Sequence, residues 1–177
     1  MSLPVAAPLI VTLALDAAAQ TYFGALRREH FPAKINYLDA HLTLFHHLPG
    51  QDRAAVREVL DACCRAQEPL LLQVTGLRSL GWGVAFTLES EPLRALHRTL
   101  QTSFAASLTA QDQQKLQPHI TVQNKVEPAV ARQLLTRLQA DFAPFGAVGT
   151  GLQVWAYLGG PWELLEWLPF AVERTLL

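Results

Sequence analysis

The apolar runs of this chain follow an order that occurs twice. "PLIVTLALD" is short, apolar and stopped by Asp16, so it predicts a buried strand over Leu9 to Leu15. Asp16 can cap the helix that follows, Ala17 to His30, with Tyr22, Phe23 and Leu26 on one face. A loop broken by Pro32 and Asn36 leads to the strand-like "HLTLFHHL", which ends at "PG". A helix from Asp52 to Gln67 and the strand "PLLLQVTGL" complete the first half. The second half opens with the strand "GVAFTLE". Ser90 then caps a helix from Glu91 to Leu108, with Leu93, Leu96, Leu100, Phe104 and Leu108 at helical spacing. A polar segment, "TAQDQQKLQ", leads to the strand "HITVQNK" and to a helix started by Pro128. Two strands, "AVGTGLQVWAYL" and "ELLEWLPFAV", joined by "GGP", close the chain.

Each half therefore reads strand, helix, His-strand, helix, strand. The repeat predicts an α+β fold of two pseudo-symmetric lobes, roughly 8–78 and 82–170, within one bilobal domain spanning 1–177. Each lobe is expected to be a mainly antiparallel sheet with two helices outside, and a cleft should lie between the lobes. A doubly wound parallel sheet would accommodate the same order, but no Gly-rich phosphate turn follows any strand.

Half of the 177 residues are hydrophobic and 16% are charged, which supports a sizeable core and argues against disorder. The net charge is −1, without the basic surplus used to grip long nucleic acid by its backbone. The first twenty residues are apolar, yet no basic residue precedes the apolar run, and Pro4, Pro8 and Asp16 interrupt it. They read as a strand rather than a signal peptide, and no run approaches a membrane span. Cys63 and Cys64 are adjacent, which suits neither a disulfide framework nor a spaced metal site. The expectation is a cytoplasmic, reducing location, a monomer, and no membrane partner.

The two His-strands carry the chemistry. His41 and Thr43 stand two residues apart in "HLTL", and His119 and Thr121 do the same in "HITV", 78 residues downstream. Side chains alternate along a strand, so each His shares a face with its Thr, while Leu42, Leu44, Ile120 and Val122 point to the helix-covered side. Two such strands facing a cleft bring together two imidazoles and two hydroxyls. One imidazole can take a proton while the other gives one, and the hydroxyls can donate to phosphoryl oxygens. This equipment suits in-line attack at a phosphodiester and requires no cofactor; two histidines alone also make a poor zinc site.

"HLTL" and "HITV" resemble the paired His-x-Thr/Ser-x motifs of the 2H phosphoesterase superfamily, nearest to its 2′-5′ RNA ligase-like, or RNA 2′,3′-cyclic phosphodiesterase, group. The resemblance covers nearly the whole chain in strand order and motif spacing. It implies a metal-independent phosphodiesterase acting on a 2′,3′-cyclic phosphate or related phosphodiester at a nucleotide or RNA end. His41 and His119 would be the acid–base pair, and Thr43 and Thr121 would hold the phosphate. Family cyclic phosphodiesterases often carry an arginine soon after the second motif. Here Gln123, Asn124 and Lys125 follow, and Lys125, with the strand parity of His119, could face the phosphate as a point charge. That difference leaves room for a non-hydrolytic nucleotide or RNA-end binding module, or for 2′-5′ RNA ligase-type activity.

Phe45 has the cleft-facing parity of His41 and could stack on a base, although core packing is the commoner fate of a Phe. Tyr37, in the loop before the first motif, could line the cleft. By the same parity His46 should face away from His41, and His47 should lie at the strand end. His30 and His97 are expected on helix surfaces. Trp155 and Tyr157 share a face of the late strand, where they can pack together or reach the cleft.

Overall fold

The computed structural model describes residues 6–171; Pro4 and Val172, at the two ends of the predicted elements, lie outside them. Among the described residues, seven strands and four α-helices appear in the expected order. They are β1 (Leu9–Leu15), α1 (Ala17–His30), β2 (Leu42–Leu48), α2 (Arg53–Ala66), β3 (Leu70–Ser79), β4 (Val84–Glu89), α3 (Glu91–Ser103), β5 (His119–Gln123), α4 (Pro128–Ala140), β6 (Phe145–Tyr157) and β7 (Trp162–Pro169). The predicted caps form: Asp16 accepts from the Ala19 amide at 3.0 Å, and Ser90 Oγ from the Leu93 amide at 3.3 Å. Helix α3 stops at Ser103 rather than Leu108. The hydroxyls of Thr99, Thr102 and Ser103 each donate to the carbonyl four residues back, and the chain turns at Phe104.

All pairings in the sheet are antiparallel, which rules out the doubly wound alternative. The strand order is β2-β1-β6-β3-β4-β5, with β7 also on β6. The long strand β6 joins two halves of the sheet. On one edge its first part pairs with β3 and its later part with β7, while its other edge pairs with β1. The two halves of the sequence thus exchange elements. β3, from the first half, pairs with β4 and β6, while β6 and β7, from the second, complete the sheet of β1 and β2. The sheet curves, so β2 and β5, at opposite ends of the strand order, come into contact.

Two helices cover each half. α1 and α4 lie over an aromatic cluster of Tyr22, Phe23, Phe86, Phe142 and Phe145, with ring centroids 5.2 to 6.2 Å apart. α2 packs on β6 and β7, and α3 reaches β2. Leu42, Ile120, Val122 and Leu152 are all 0% exposed, while their neighbours His41, Thr43, His119, Thr121 and Gln153 are half-buried on the opposite face. The alternation follows from a sheet with one face against helices and the other against a cleft. Among the described residues no helix is long and apolar enough to cross a membrane.

Gly151 lies where β6 is pressed between β1 and β7. A Cβ there would sit 2.5 Å from the Leu168 carbonyl oxygen and 2.9 Å from the Pro169 Cα, both main-chain atoms. Gly151→Ala must therefore displace β7, at a cost of about 2 kcal/mol in the range of overpacking. Urea denaturation should show a lower midpoint with an unchanged slope; a midpoint equal to wild type would contradict the close packing.

A candidate active site between the two His-x-Thr strands

The two motifs are built alike. His41 immediately precedes β2 and His119 opens β5. His41 Nδ1 lies 2.8 Å from the Asp39 carbonyl oxygen, and His119 Nδ1 lies 2.9 Å from that of Gln117. A carbonyl only accepts, so Nδ1 of each ring carries the proton and donates it. In the neutral imidazole Nε2 is then the free, basic nitrogen. Each ring is thus held by the backbone two residues before it in the tautomer a general base needs.

Burial dominates the electrostatics. It pushes the His41 imidazole down to about 4, against the hydrogen bond to Asp39; nearby Arg27, His119 and His46 lower it further. His119 is also lowered, first by burial and then by the charges of Arg78 and His46, with the Gln117 bond opposing. His119 is among the lesser charges that lower His41, behind burial and Arg27.

One side chain ties the motifs together. Arg27, on α1 and 6% exposed, donates from Nε to the Leu38 carbonyl at 3.0 Å and to Asn36 Oδ1 at 2.9 Å. Its Nη1 donates to the Thr121 carbonyl at 2.9 Å. Leu38 lies in the approach to His41, and Thr121 is the threonine of the second motif. The guanidinium also sits 3.9 Å above the Phe31 ring. Burial lowers it to about 10, opposed by the Asp39 charge, which leaves it protonated at neutral pH. Gln20, also on α1, donates to the Ala40 carbonyl at 2.9 Å, beside His41.

Three hollows meet these strands. One, about 310 Å³, has Thr43 and His119 in its wall together with His46, Asp112 and Lys115. A second, about 270 Å³, brings His41, Tyr37 and Lys125 together with Arg27 and Trp162. The third, about 430 Å³, runs from His41 to Trp155, Trp162 and Trp167. The structure therefore groups His41, Tyr37 and Lys125, and groups Thr43 with His119. Thr121 is half-buried on β5 beside them. Lys125 lies beyond the end of β5 in the left-handed region, φ 58°, with its amide donating to Asn124 Oδ1. A larger cavity of about 660 Å³, between α1 and α4, contains neither motif and has a mainly apolar wall.

Phe45 lies away from the cleft. It is 0% exposed, stacked on His97 at 4.8 Å and edge-on to Phe104 at 5.7 Å. The cause is a β-bulge: Val11 pairs with Phe45 and Thr12 with Thr43, so Leu44 has no partner on β1 and the alternation slips. Both Leu44 and Phe45 turn inward, and His46, expected to face away, joins the hollow of Thr43 and His119. His97, expected at the surface, is 3% exposed and donates from Nε2 to the Leu44 carbonyl at 3.0 Å.

Three groups near the site escaped sequence reading. Asp112, buried in the loop before β5, accepts from the His46 and His47 amides at 2.9 Å and from the His46 ring at 3.0 Å. Burial favours its neutral form, but these bonds outweigh that and lower its pKa. Arg78 faces the same side as the second motif, since Arg78 pairs with Ala85 and Ala85 with Thr121; its Nη1 donates to Gln117 Oε1 at 3.3 Å. Arg27 is the third. No spacing signal marks these residues, because each depends on long-range strand pairing.

Known proteins share this fold. The sequence profile of the 2′-5′ RNA ligase superfamily matches residues 15–161. Escherichia coli LigT complexed with 3′-AMP superposes with a TM-score of 0.62 at 19% identity, covering 93% of this chain and 98% of LigT. LigT complexed with NADP+ gives 0.58 at 17% identity, over 94% and 98%. TT0787 of Thermus thermophilus gives 0.62 at 16% identity, over 94% and 100%. No curated protein matches by sequence. At these identities the structural likeness establishes the fold.

Replacing Arg27 by Met removes this donor from Asn36 Oδ1 and two partly buried carbonyls, which should cost about 3 kcal/mol. Arg27→Lys should recover little, because an ammonium cannot supply the fork. Denaturation of both variants checks this; wild-type stability in Arg27→Met would refute the cross-link.

Proposed function

The chain belongs to the 2′-5′ RNA ligase superfamily, and from that premise we propose that it hydrolyses a 2′,3′-cyclic phosphate, or a related phosphodiester, at a nucleotide or RNA end. The observation that carries this reading is the matched pair of imidazoles, each with Nδ1–H held by a backbone carbonyl and Nε2 free. Family membership implies an enzyme of the phosphoesterase and ligase type. The LigT complexes with 3′-AMP and NADP+ support a nucleotide as the ligand class.

In this reading a water attacks the phosphorus of the cyclic diester. One neutral imidazole removes the water proton at Nε2. The other, protonated, gives its Nε2 proton to the departing ribose oxygen, so the P–O bond to that oxygen breaks as the new one forms. Thr43 and Thr121 donate hydroxyl hydrogen bonds to the non-bridging oxygens. Lys125 supplies a positive charge on the His41 side, and Arg27 and Arg78 add a fixed positive field without a net basic surface. Joining RNA ends would use the same pair in the same roles: a 5′-hydroxyl replaces the water, gives up its proton to the base, and attacks the cyclic phosphate as the P–O3′ bond breaks and the 3′ oxygen is protonated, leaving a 2′-5′ linkage.

The acid–base pair accounts for hydrolysis without a metal, and among the described residues no three His, Cys, Asp or Glu side chains converge as a ligand set. Gln123, Asn124 and Lys125 follow the second motif, where cyclic phosphodiesterases of the family often have an arginine nearby, and this difference motivates the competing reading, a cleft that binds nucleotides without turnover. Assays with 2′,3′-cyclic nucleotides separate the two. His41→Ala and His119→Ala should each lower hydrolysis by about 10²- to 10⁴-fold while keeping the wild-type circular dichroism spectrum, and EDTA should leave activity intact. Full activity in either variant excludes the mechanism, and binding without turnover in the wild type selects the module.

A further inference from the structure

The aromatic hollow beside His41 has a feature that core packing does not account for. On β6 and β7 the cleft-facing side chains form cross-strand pairs, Trp155 with Leu164 and Gln153 with Trp167. Trp167 is 56% exposed, and Trp162 stands 4.9 Å from the His41 ring and 6.1 Å from Trp155. These rings wall a cavity of about 430 Å³ that opens onto His41.

One polar group in this wall is oriented by its neighbours. Trp155 Nε1–H only donates, and it donates to Thr12 Oγ1 at 2.9 Å. Thr12, fully buried, passes its own hydroxyl proton to Gln153 Oε1 at 3.3 Å. The chain Trp155 to Thr12 to Gln153 thereby occupies the amide oxygen and leaves the amide nitrogen, with two N–H groups, to the hollow. Across the strands, Gln153 pairs with Thr12 and Thr12 with Thr43, so the amide and the first-motif threonine stand in one row, two strand spacings or about 10 Å apart.

We propose that this hollow is a subsite for a heteroaromatic base, with the rings of Trp155, Trp162 and Trp167 providing stacking surface and the Gln153 amide donating to an acceptor on the base edge. The separation between Thr43 and Gln153 matches one nucleoside laid from phosphate to base. The inference rests on the phosphodiesterase reading above and deepens it: the nucleobase of the diester lies on the His41 side, against rings of β6 and β7. Apolar walls with one converging, pre-oriented donor are the usual construction of a small-ligand site. Stacking on such rings is worth enough to be read as a ratio between substrates.

The test compares kcat/KM for uridine and adenosine 2′,3′-cyclic phosphates with that for methyl riboside 2′,3′-cyclic phosphate, which lacks a base. The wild type should prefer the base-bearing substrates by about 10-fold or more. That ratio should fall several-fold in Trp167→Ala. It should also fall in Gln153→Glu, which keeps an oxygen for Thr12 but has no N–H to give. Equal use of base-bearing and base-less substrates by the wild type overturns the subsite while the phosphodiesterase reading stands. An unchanged ratio in both variants overturns it as well. Failure to hydrolyse any of the three substrates overturns the phosphodiesterase reading itself.

Discussion

One guanidinium joins the two motifs. Arg27 is carried by α1, which leaves β1 in one half of the sheet and packs against β5 in the other. From there it reaches the loop before His41 and the carbonyl of Thr121, positions separated by more than eighty residues of sequence. Three partly buried acceptors are satisfied by one rigid fork. The cost of burying the charge is visible in its lowered pKa, and the hydrogen bonds offset it. The contact between β2 and β5, at opposite ends of the strand order, is held by this cross-link and by the curvature of the sheet.

The consequences reach the chemistry. The proposed reaction needs one proton acceptor and one proton donor on opposite sides of a phosphorus, and so depends on the separation of two strands that share no hydrogen-bond ladder. Here that separation is set on the helix side by Arg27, and ring orientation is set locally by carbonyls two residues upstream of each His. The same burial that organises the rings removes water from them, which keeps both imidazoles more acidic than in solution. The strand row from Thr43 through Thr12 to Gln153 joins the first motif to the hollow proposed as a base subsite.

Much of this was legible in the chain. The order of strands and helices, the Asp16 and Ser90 caps, and the shared face of His41 with Thr43 and of His119 with Thr121 follow from periodicity and cap chemistry. Parity reasoning then broke down at one residue. The unpartnered Leu44 shifts the alternation locally, burying Phe45 and bringing His46 to the hollow of Thr43 and His119, before a second register shift returns Leu48 to the core. It also exposes a carbonyl that His97 satisfies, which is why a histidine on a helix became a core residue. A bulge has no composition signature, and the exchange of β3 and β6 between the two halves has none either. Arg27, Asp112 and Gln153 matter through partners 65 to 141 residues away, beyond any local pattern.

The central claim, a pair of half-buried imidazoles acting as acid and base, is tested most directly by the pH dependence of kcat/KM for a 2′,3′-cyclic nucleotide, which reports the free enzyme. Activity should fall at low pH as the base takes a proton, and at high pH as the acid loses one. With His41 near 4 and His119 also lowered, the account predicts a bell whose maximum lies below about pH 6.5, the ordinary imidazole value. A flat profile, or a rate that climbs steadily through pH 9, would contradict it.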